Sequence, residues 1–404
     1  MTSTRTAPVG RTASPSTARA INDRLALRLL QEQGALTASQ LKALTGLSRP
    51  TVADLVDRLQ DAGLIAVVGE SGAERRGPNA RLYGIVAARA HLAGVDARTD
   101  SVAVCVTDLL GDVLAEAALS VDPDADPARA VRGAVDLLAR TVGDSGAVRL
   151  HTVAVGAPGL VDPATGELVS ATGRPSWHQR LAAALHDRLA VPVLLENEVN
   201  LAALAEQRTG AARDRDTFVL LWLGHGIGAA VVLDGALRRG ASGGTGEIGF
   251  LPVPGTGQLP SATDCGGGFH ALASAAAVRQ LAREHGFVDE ATQDAADGAE
   301  AATRAAVRAG RRGEPFLDAL AARIAVGAAA VCAVLDPGCV VLGGEVGRAG
   351  GAALAHEVER HLARMSPLRT EVRAAAAGGG GVLRGAVLTA MDAAQDDLFG
   401  SGDR

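Results

Sequence analysis

Apolar residues in this chain form short unbroken runs that alternate with stripes at helical spacing. The run from Phe218 to Trp222 has the length of a buried strand, and the glycine turn 224–228 follows it. A second apolar run over 229–233 and the hairpin dipeptide Asp234-Gly235 come next. Strand, glycine loop and strand bring backbone N–H groups close to a phosphate or a sugar hydroxyl, because glycine has no Cβ. Most such loops are merely tight turns, so the interpretation depends on further motifs.

The same alternation fills residues 89–395 and predicts an α/β body. One predicted helix, 127–142, should bury a face formed by Val131, Val135, Leu138 and Val142. The predicted strands are 92–96, 101–108, 153–155, 191–195 and 340–342, and the other predicted helices are 179–189, a segment after Glu196, 315–335 and roughly 385–394.

Residues 20–63 contain three helical stripes with clear start signals. Asn22 should cap a helix ending at Gln33, and Thr37 and Gln40 form a capping box for a second helix. Ser48 should cap a third helix, with Pro50 in its first turn. The buried stripe of this third helix is predicted to be Val52, Leu55, Val56 and Leu59.

Two short helices joined by a glycine-bearing turn are typical of a helix-turn-helix. The start of the third helix carries Ser48, Arg49, Pro50 and Thr51, with Arg58 two turns later, and these donors suit bases and phosphates. The alternative is a three-helix cap that packs on the body.

A strand over 64–68, a polar loop and a returning strand over 81–85 predict a wing after the third helix. Arg75 and Arg76 lie near its tip and Arg81 begins the returning strand, so all three are candidate DNA contacts. The segment 36–65 resembles winged-helix regulators, with their helix, turn and helix in register.

Composition and charge agree with a cytoplasmic DNA-binding protein. Residues 1–90 hold 12 Arg and Lys against 7 Asp and Glu, whereas residues 91–404 hold 27 against 38, so only the head favours a polyanion. No apolar run reaches the ~18–20 residues that span a bilayer. Cys105, Cys332 and Cys339 lie in apolar runs and are expected to be reduced core residues. Residues 1–18 read as a disordered arm and 396–404 as a flexible tail.

The whole of residues 20–395 resembles the ROK (repressor, open reading frame, kinase) family. The motifs GAPGLVD, LLENEVNLAALAE, GHGIG, GEIG and VVLGG stand in that family's order. The resemblance implies an α/β fold with an N-terminal winged helix-turn-helix over 19–88. The body, 89–395, should be a two-lobed, actin-like, sugar-kinase-like (ribonuclease H-like) domain.

The resemblance also identifies what this body has lost. The family's first phosphate loop, D-x-G-G-T, reads here as Asp96 to Asp100, with an arginine and a carboxylate where small residues and a threonine are expected. His225 replaces a threonine in the second phosphate loop. Glu198 stands at the position of the catalytic aspartate with one extra methylene, and a base misplaced by ~1 Å can cost about 100-fold.

The family's structural zinc site is reduced to Cys265 and His270, and Phe250 replaces its histidine ligand. Structural zinc needs four N or S ligands, so we expect no metal, no cofactor and no kinase activity.

The family's sugar-binding positions are altered less than its phosphate loops and its zinc site. By resemblance, Asn197, Glu198 and Glu247 match residues that bind sugar hydroxyls, and His270 is a less certain match for a fourth. Asn197 and Glu198 have an alternative role as a helix N-cap and a favourable first-turn acid.

The leading hypothesis is a transcriptional regulator of carbohydrate genes, a repressor by resemblance to the family, that binds operator DNA as a homodimer or homotetramer and senses a sugar or sugar phosphate. The alternatives are an active ATP-dependent sugar kinase with a retained DNA-binding head, and a regulator that responds to a protein partner.

Overall fold

A computed structural model describes residues 15–71, 80–122, 126–169, 177–261, 266–288 and 295–400. The N-terminal head contains three helices and a small three-stranded sheet of order β1-β3-β2. Its elements are α1 (Pro15–Gln33), β1 (Leu36–Thr37), α2 (Ala38–Thr45), α3 (Arg49–Asp61), β2 (Ile65–Ser71) and β3 (Ala80–Ile85).

The local signals of the second and third helices act as expected, whereas the cap predicted at Asn22 is wrong, because α1 begins at Pro15 and Asn22 lies inside it. Thr37 and Gln40 form the capping box of α2, and Gly46 ends that helix in the left-handed region with φ 71°. Ser48 caps α3, whose four apolar stripe residues are all buried. The helix-turn-helix and its wing strands are therefore confirmed as structure. Strand β1, which pairs Leu36 with Tyr83, was not predicted.

The first lobe of the body is a five-stranded sheet of order β10-β7-β4-β5-β6. Strands β4, β5 and β6 are antiparallel neighbours, and β7 and β10 continue the sheet in parallel. Its elements are β4 (His91–Ala97), β5 (Ser101–Asp108), β6 (Val113–Ser120), α4 (Pro127–Asp144), β7 (Leu150–Ala157), β8 (Leu160–Val161), β9 (Leu168–Val169), α5 (Trp177–Leu189), β10 (Val193–Asn197) and α6 (Glu198–Thr209).

The second lobe repeats this topology. Its sheet has the order β13-β12-β11-β14-β15, again with three antiparallel strands extended by two parallel ones. Its elements are β11 (Phe218–Leu223), β12 (Ile227–Leu233), β13 (Ala236–Arg238), α7 (His270–Ala273), α8 (Ala275–Glu284), α9 (Ala295–Arg308), α10 (Glu314–Leu335), β14 (Cys339–Gly343), α11 (Gly344–Met365) and β15 (Glu371–Ala374). This duplication confirms the two-lobed body. The last helix, α12 (Gly381–Gly400), returns to the sheet of the first lobe.

Helices α6 and α12 lie between the two sheets and pack against each other. Helix α12 also packs against β4 and β7, and α6 packs against β11 and β12. A continuous apolar cluster runs from the head through these helices to the inner face of the second sheet, where Phe218 and Trp222 contribute. Gly94 and Gly156 permit this packing, since a Cβ at either would come within 3 Å of Val387 or Val382 on α12.

Three predicted features differ from the structure. Helix α1 begins at Pro15, so residues 15–18 of the expected disordered arm are helical, and α12 continues to Gly400 through most of the expected tail. In α4 the buried residues are Ala130, Ala134, Leu137, Leu138 and Thr141. Of the expected face only Leu138 is fully buried, and the three valines are partly buried, because the sheet receives a face of the helix that is rotated from the predicted one.

Helix α10 is the one described helix long and apolar enough to cross a bilayer, and half of that stretch is buried in the second lobe. Cys105, Cys332 and Cys339 are buried free thiols, as expected.

Candidate DNA-binding and effector sites

The N-terminal turn of α3 presents polar groups to solvent. Ser48 Oγ accepts the backbone N–H of Thr51 at 3.3 Å and lies 2.8 Å from the Thr51 hydroxyl, which fixes the first turn. Arg49 and Pro50 are exposed. The Arg49 guanidinium is the group in this turn that reaches farthest from the helix, so it is the strongest candidate for a base contact.

Arg58 lies in a different environment from the other candidate contacts. Its guanidinium forms an ion pair with Asp23 of α1 at 2.6 Å and another with Asp54 one turn earlier in α3. Hydrogen bonds that the guanidinium donates to Asp23 raise the pKa of Arg58. This arginine therefore joins α3 to α1, and its charge is already balanced within the head.

The wing carries one of its three candidate arginines within the described residues. Arg81 is exposed on β3, opposite Glu70 of β2 in the strand register. Arg75 and Arg76 lie outside the described residues.

The start of α6 is fixed by Asn197 and Glu196. Asn197 Oδ1 accepts the N–H groups of Val199 and Asn200 at 2.8 and 3.3 Å, and its amide donates to Gly159 O at 2.8 Å. Glu196 is buried and binds Arg239 Nε at 2.6 Å. The N-cap role of Asn197 is thus realised, and one of its amide hydrogens remains available to a ligand.

Glu198 follows this cap and lies between the lobes. Burial, reinforced by the negative charge of Asp96, raises the pKa of Glu198 to about 7. The positive charge of Arg98 acts in the opposite direction and Glu345 acts in the same direction as Asp96. The carboxyl of Glu198 is therefore poised to donate or accept a proton near neutral pH.

Glu247 lies in the turn between β13 and α7, close to the start of α6. Gly246 O accepts the N–H of Ala229 in β12 at 2.7 Å, and a Cβ at Gly228 would touch both Gly246 and Val199 of α6, which places Glu247 beside the start of α6. Burial raises the pKa of Glu247.

His270 packs directly behind the Glu247 turn. Its ring meets Phe250 edge-on, with centroids 5.4 Å apart, and covers the Cα of Gly249. Burial lowers the pKa of His270 and so favours the neutral imidazole. Cys265, the other remnant of the zinc motif, lies outside the described residues. Asn197 and Glu198 therefore begin α6, Glu247 lies beside that start, and His270 packs behind Glu247; their binding of an effector stays a prediction.

The first phosphate loop is occupied by a side chain. Arg98 Nε donates to Asp96 Oδ2 at 3.0 Å, and Arg98 Nη1 donates to Glu345 Oε1 at 3.0 Å. Its Nη2 group lies 3.4 Å from Gly379 O. We call Asp96, Arg98 and Glu345 the interlobe ion cluster, because β4 belongs to the first lobe and α11 to the second.

Glu345 is the residue of this site that the sequence analysis missed. It follows the glycines at the end of β14, and a Cβ at Gly224 would overlap its carboxylate, so it also covers the second glycine loop. The available signal was its position just beyond the carboxyl end of a parallel strand, where α/β sheets bind ligands.

Two family models match this chain, one over the body and one over the head. The ROK family model matches residues 92–393 and a MarR family model matches residues 21–77. The chain belongs to the ROK family.

Three similar proteins place the chain within this family. A xylose repressor from Caldicellulosiruptor bescii is 24% identical over 235 residues, which cover 58% of this chain and 59% of the repressor. A glucokinase from Thermotoga maritima is 32% identical over 210 residues, 49% of this chain and 65% of the kinase. The chain thus spans about 60% of the length of these curated relatives. The crystal structure of a ROK family transcriptional regulator, described as a homolog of the E. coli Mlc protein, has a TM-score of 0.75 at 20% identity and covers 95% of this chain and 98% of its own.

Proposed function

We propose that this ROK family protein is a cytoplasmic transcriptional regulator, acting as a repressor of carbohydrate genes. Its winged helix-turn-helix binds operator DNA, and its body senses a sugar without phosphorylating it. The exposed N-terminal turn of α3 supports the DNA-binding role. The similarity to a protein named xylose repressor and to a ROK regulator of known structure supports the regulatory role.

The observation that carries the non-catalytic assignment is the interlobe ion cluster. A triphosphate needs small residues and free N–H groups at the end of β4, but Arg98 fills that space and two carboxylates surround it. Asp96 and Glu345 add negative charge where the nucleotide would bring more, so nucleotide binding is electrostatically unfavourable.

DNA binding is tested by selecting bound duplexes from fragmented genomic DNA with the purified full chain, then footprinting the recovered sites. We expect two related half-sites, because a single short recognition helix gives little specificity and a homodimer or homotetramer supplies the second head. Recovery of no enriched sequence at modest ionic strength would contradict the proposal. Light scattering gives the oligomeric state in the same samples.

Sugar sensing is tested by thermal unfolding with a panel of pentoses, hexoses, N-acetylhexosamines and their phosphates. Xylose heads the panel because a similar protein is named for it. A ligand at 100 times its dissociation constant should stabilise the folded state by ~2.7 kcal/mol. If no sugar stabilises the protein while DNA binding persists, the regulator responds to a protein partner instead.

A sugar kinase with a retained DNA-binding head is the second candidate, and one observation favours it. Glu198 occupies the position of the catalytic base, and a pKa of about 7 is suitable for that task. A coupled assay for ADP release over the same sugar panel separates the candidates. Turnover that Glu198→Gln abolishes would establish the kinase, whereas background release unaffected by this substitution supports the regulator.

A further inference from the structure

The interlobe ion cluster joins groups that are remote in the sequence. Arg98 and Glu345 are separated by 247 positions and come from different lobes, yet their N and O atoms lie 3.0 Å apart. Asp96 is buried and Glu345 is largely buried, so water screens this contact much less than a surface pair. The cluster is therefore a charged contact across the cleft between the lobes.

The cluster also has an uneven charge balance. One guanidinium faces Asp96 and Glu345 directly and Glu198 at longer range. Among the described residues Asp96 Oδ1 has no hydrogen-bond partner, although its side chain is only 6% exposed. Removing Arg98 would leave buried carboxylates without compensation, so the arginine is what allows them to remain in the cleft.

A third contact of Arg98 reaches the segment before α12. Arg98 Nη2 lies 3.4 Å from Gly379 O, two residues before that helix begins. The opposite end of α12 meets the head, where Asp396 forms an ion pair with Arg24 of α1. A 20-residue helix is about 30 Å long, so α12 connects the cluster with the DNA-binding head.

We propose that Arg98 is a positioning residue that takes the structural place of a nucleotide. Bound phosphates would contact both lobes at the ends of β4 and β11, and Arg98 makes the corresponding contacts from within the chain. Through Glu345 it holds the second lobe against the first and so sets the angle between the lobes, and through Gly379 it contacts the segment that leads into α12. This role goes beyond the proposed function, because it requires no sugar and no DNA.

The lobe angle can be measured by the distance between two spin labels. Val148 in the first lobe and Val334 at the end of α10 are both highly exposed, so cysteines there can be labelled in a Cys265→Ser background. The three remaining native thiols are buried. Pulsed dipolar spectroscopy on the full chain then reports the mean distance between the lobes and its spread.

The decisive variant is Glu345→Ala, which cuts the contact between the lobes and leaves Arg98 paired with Asp96. We expect the mean distance to increase by more than ~2 Å and the distribution to broaden, a change of the size that separates domain rearrangement from side-chain adjustment. Glu345→Gln, which keeps a hydrogen-bond acceptor, should give a smaller change, and Arg98→Lys should lie between the parent and Glu345→Ala.

Glu371→Ala is the matched control, because it removes a carboxylate whose partners, Arg215 and Arg373, lie in the same lobe. The control should leave the distance unchanged. If Glu345→Ala gives the same distribution as the parent and the control, the cluster does not set the lobe angle and the proposal is wrong. Sugar binding and DNA binding play no part in this measurement, so its failure would not affect the proposed function.

Discussion

Arg58→Ala should destabilise the head without removing a DNA contact. Arg58 lies on α3, but its guanidinium faces Asp23 of α1 and Asp54 of its own helix. The side chains of Arg58 and Asp23 are 31% and 20% exposed, so solvent screens their interaction only in part. The substitution therefore separates a structural arginine from a nucleic-acid-binding one on the same helix.

The expected loss follows from the two pairs. Arg58 reaches both oxygens of Asp23, through Nη2 at 2.6 Å and Nε at 3.4 Å, and such a partly exposed pair contributes up to ~1 kcal/mol. The pair with Asp54 has i,i+4 spacing on an exposed helix face and adds about 0.3–0.5 kcal/mol. A loss of about 1 kcal/mol shifts the melting temperature of a domain of 60–100 residues by roughly 4–8 °C.

Hydrogen exchange of the α1 and α3 amides measures this loss of stability. Salt titration of DNA binding tests the alternative, that Arg58 contacts a DNA phosphate. A phosphate contact reduces the slope of log K against log salt by about 1 when it is removed. We expect faster exchange in α1 and α3 and an unchanged slope. Normal exchange protection with a slope reduced by about 1 would show that Arg58 binds DNA after all.

Three further predictions concern the recognition helix and the cleft. Arg49→Ala should lower the free energy of DNA binding by about 1–3 kcal/mol and relax the preference at particular base pairs, which is measured on duplexes with single base-pair substitutions. An equal loss of affinity on every sequence would indicate a phosphate contact instead. Glu198 binds its proton more tightly in the folded state, with a pKa of about 7, than in the unfolded chain, so stability should fall as pH rises from about 5 to about 8. The free energy of unfolding of Glu198→Gln, measured by denaturant titration at several pH values, should not show this fall. If it depends on pH as the parent's does, Glu198 is not the group that titrates. Gly249→Ala places a methyl group on the His270 ring and should lower the free energy of unfolding by about 1–3 kcal/mol. Gly257→Ala, where nothing lies within 4 Å, should leave it nearly unchanged. Equal unfolding free energies for the two variants would show that the imidazole moves aside freely.

Local signals were the most reliable part of the sequence analysis. The caps at Thr37 and Ser48 and the left-handed glycine at 46 placed α2 and α3 correctly, because each is decided by neighbouring residues. Periodicity was less reliable in α4. Valine and alanine positions both follow a helical spacing there, and only the sheet beneath decides which of them it buries.

The candidate site could be predicted only in part, because some of its contacts join residues that are far apart in the sequence. The sequence predicted the N-cap role of Asn197, which the structure confirms, but the packing of His270 behind Gly249 emerges only from the folded chain. The position of Arg58 on the third helix predicts a contact with DNA. Its partner Asp23 lies 35 residues earlier, and nothing in the sequence pattern indicates that pair.

The amino-acid sequence alone determined the longer strands and helices, the helix-turn-helix and the loss of small residues after β4, since each depends on residue types at short spacing. Tertiary structure alone decided that Arg98 would meet Glu345 across the cleft and that α12 would extend to the head. Those contacts join segments hundreds of residues apart, and their distances are set by how two sheets and the helices between them pack together.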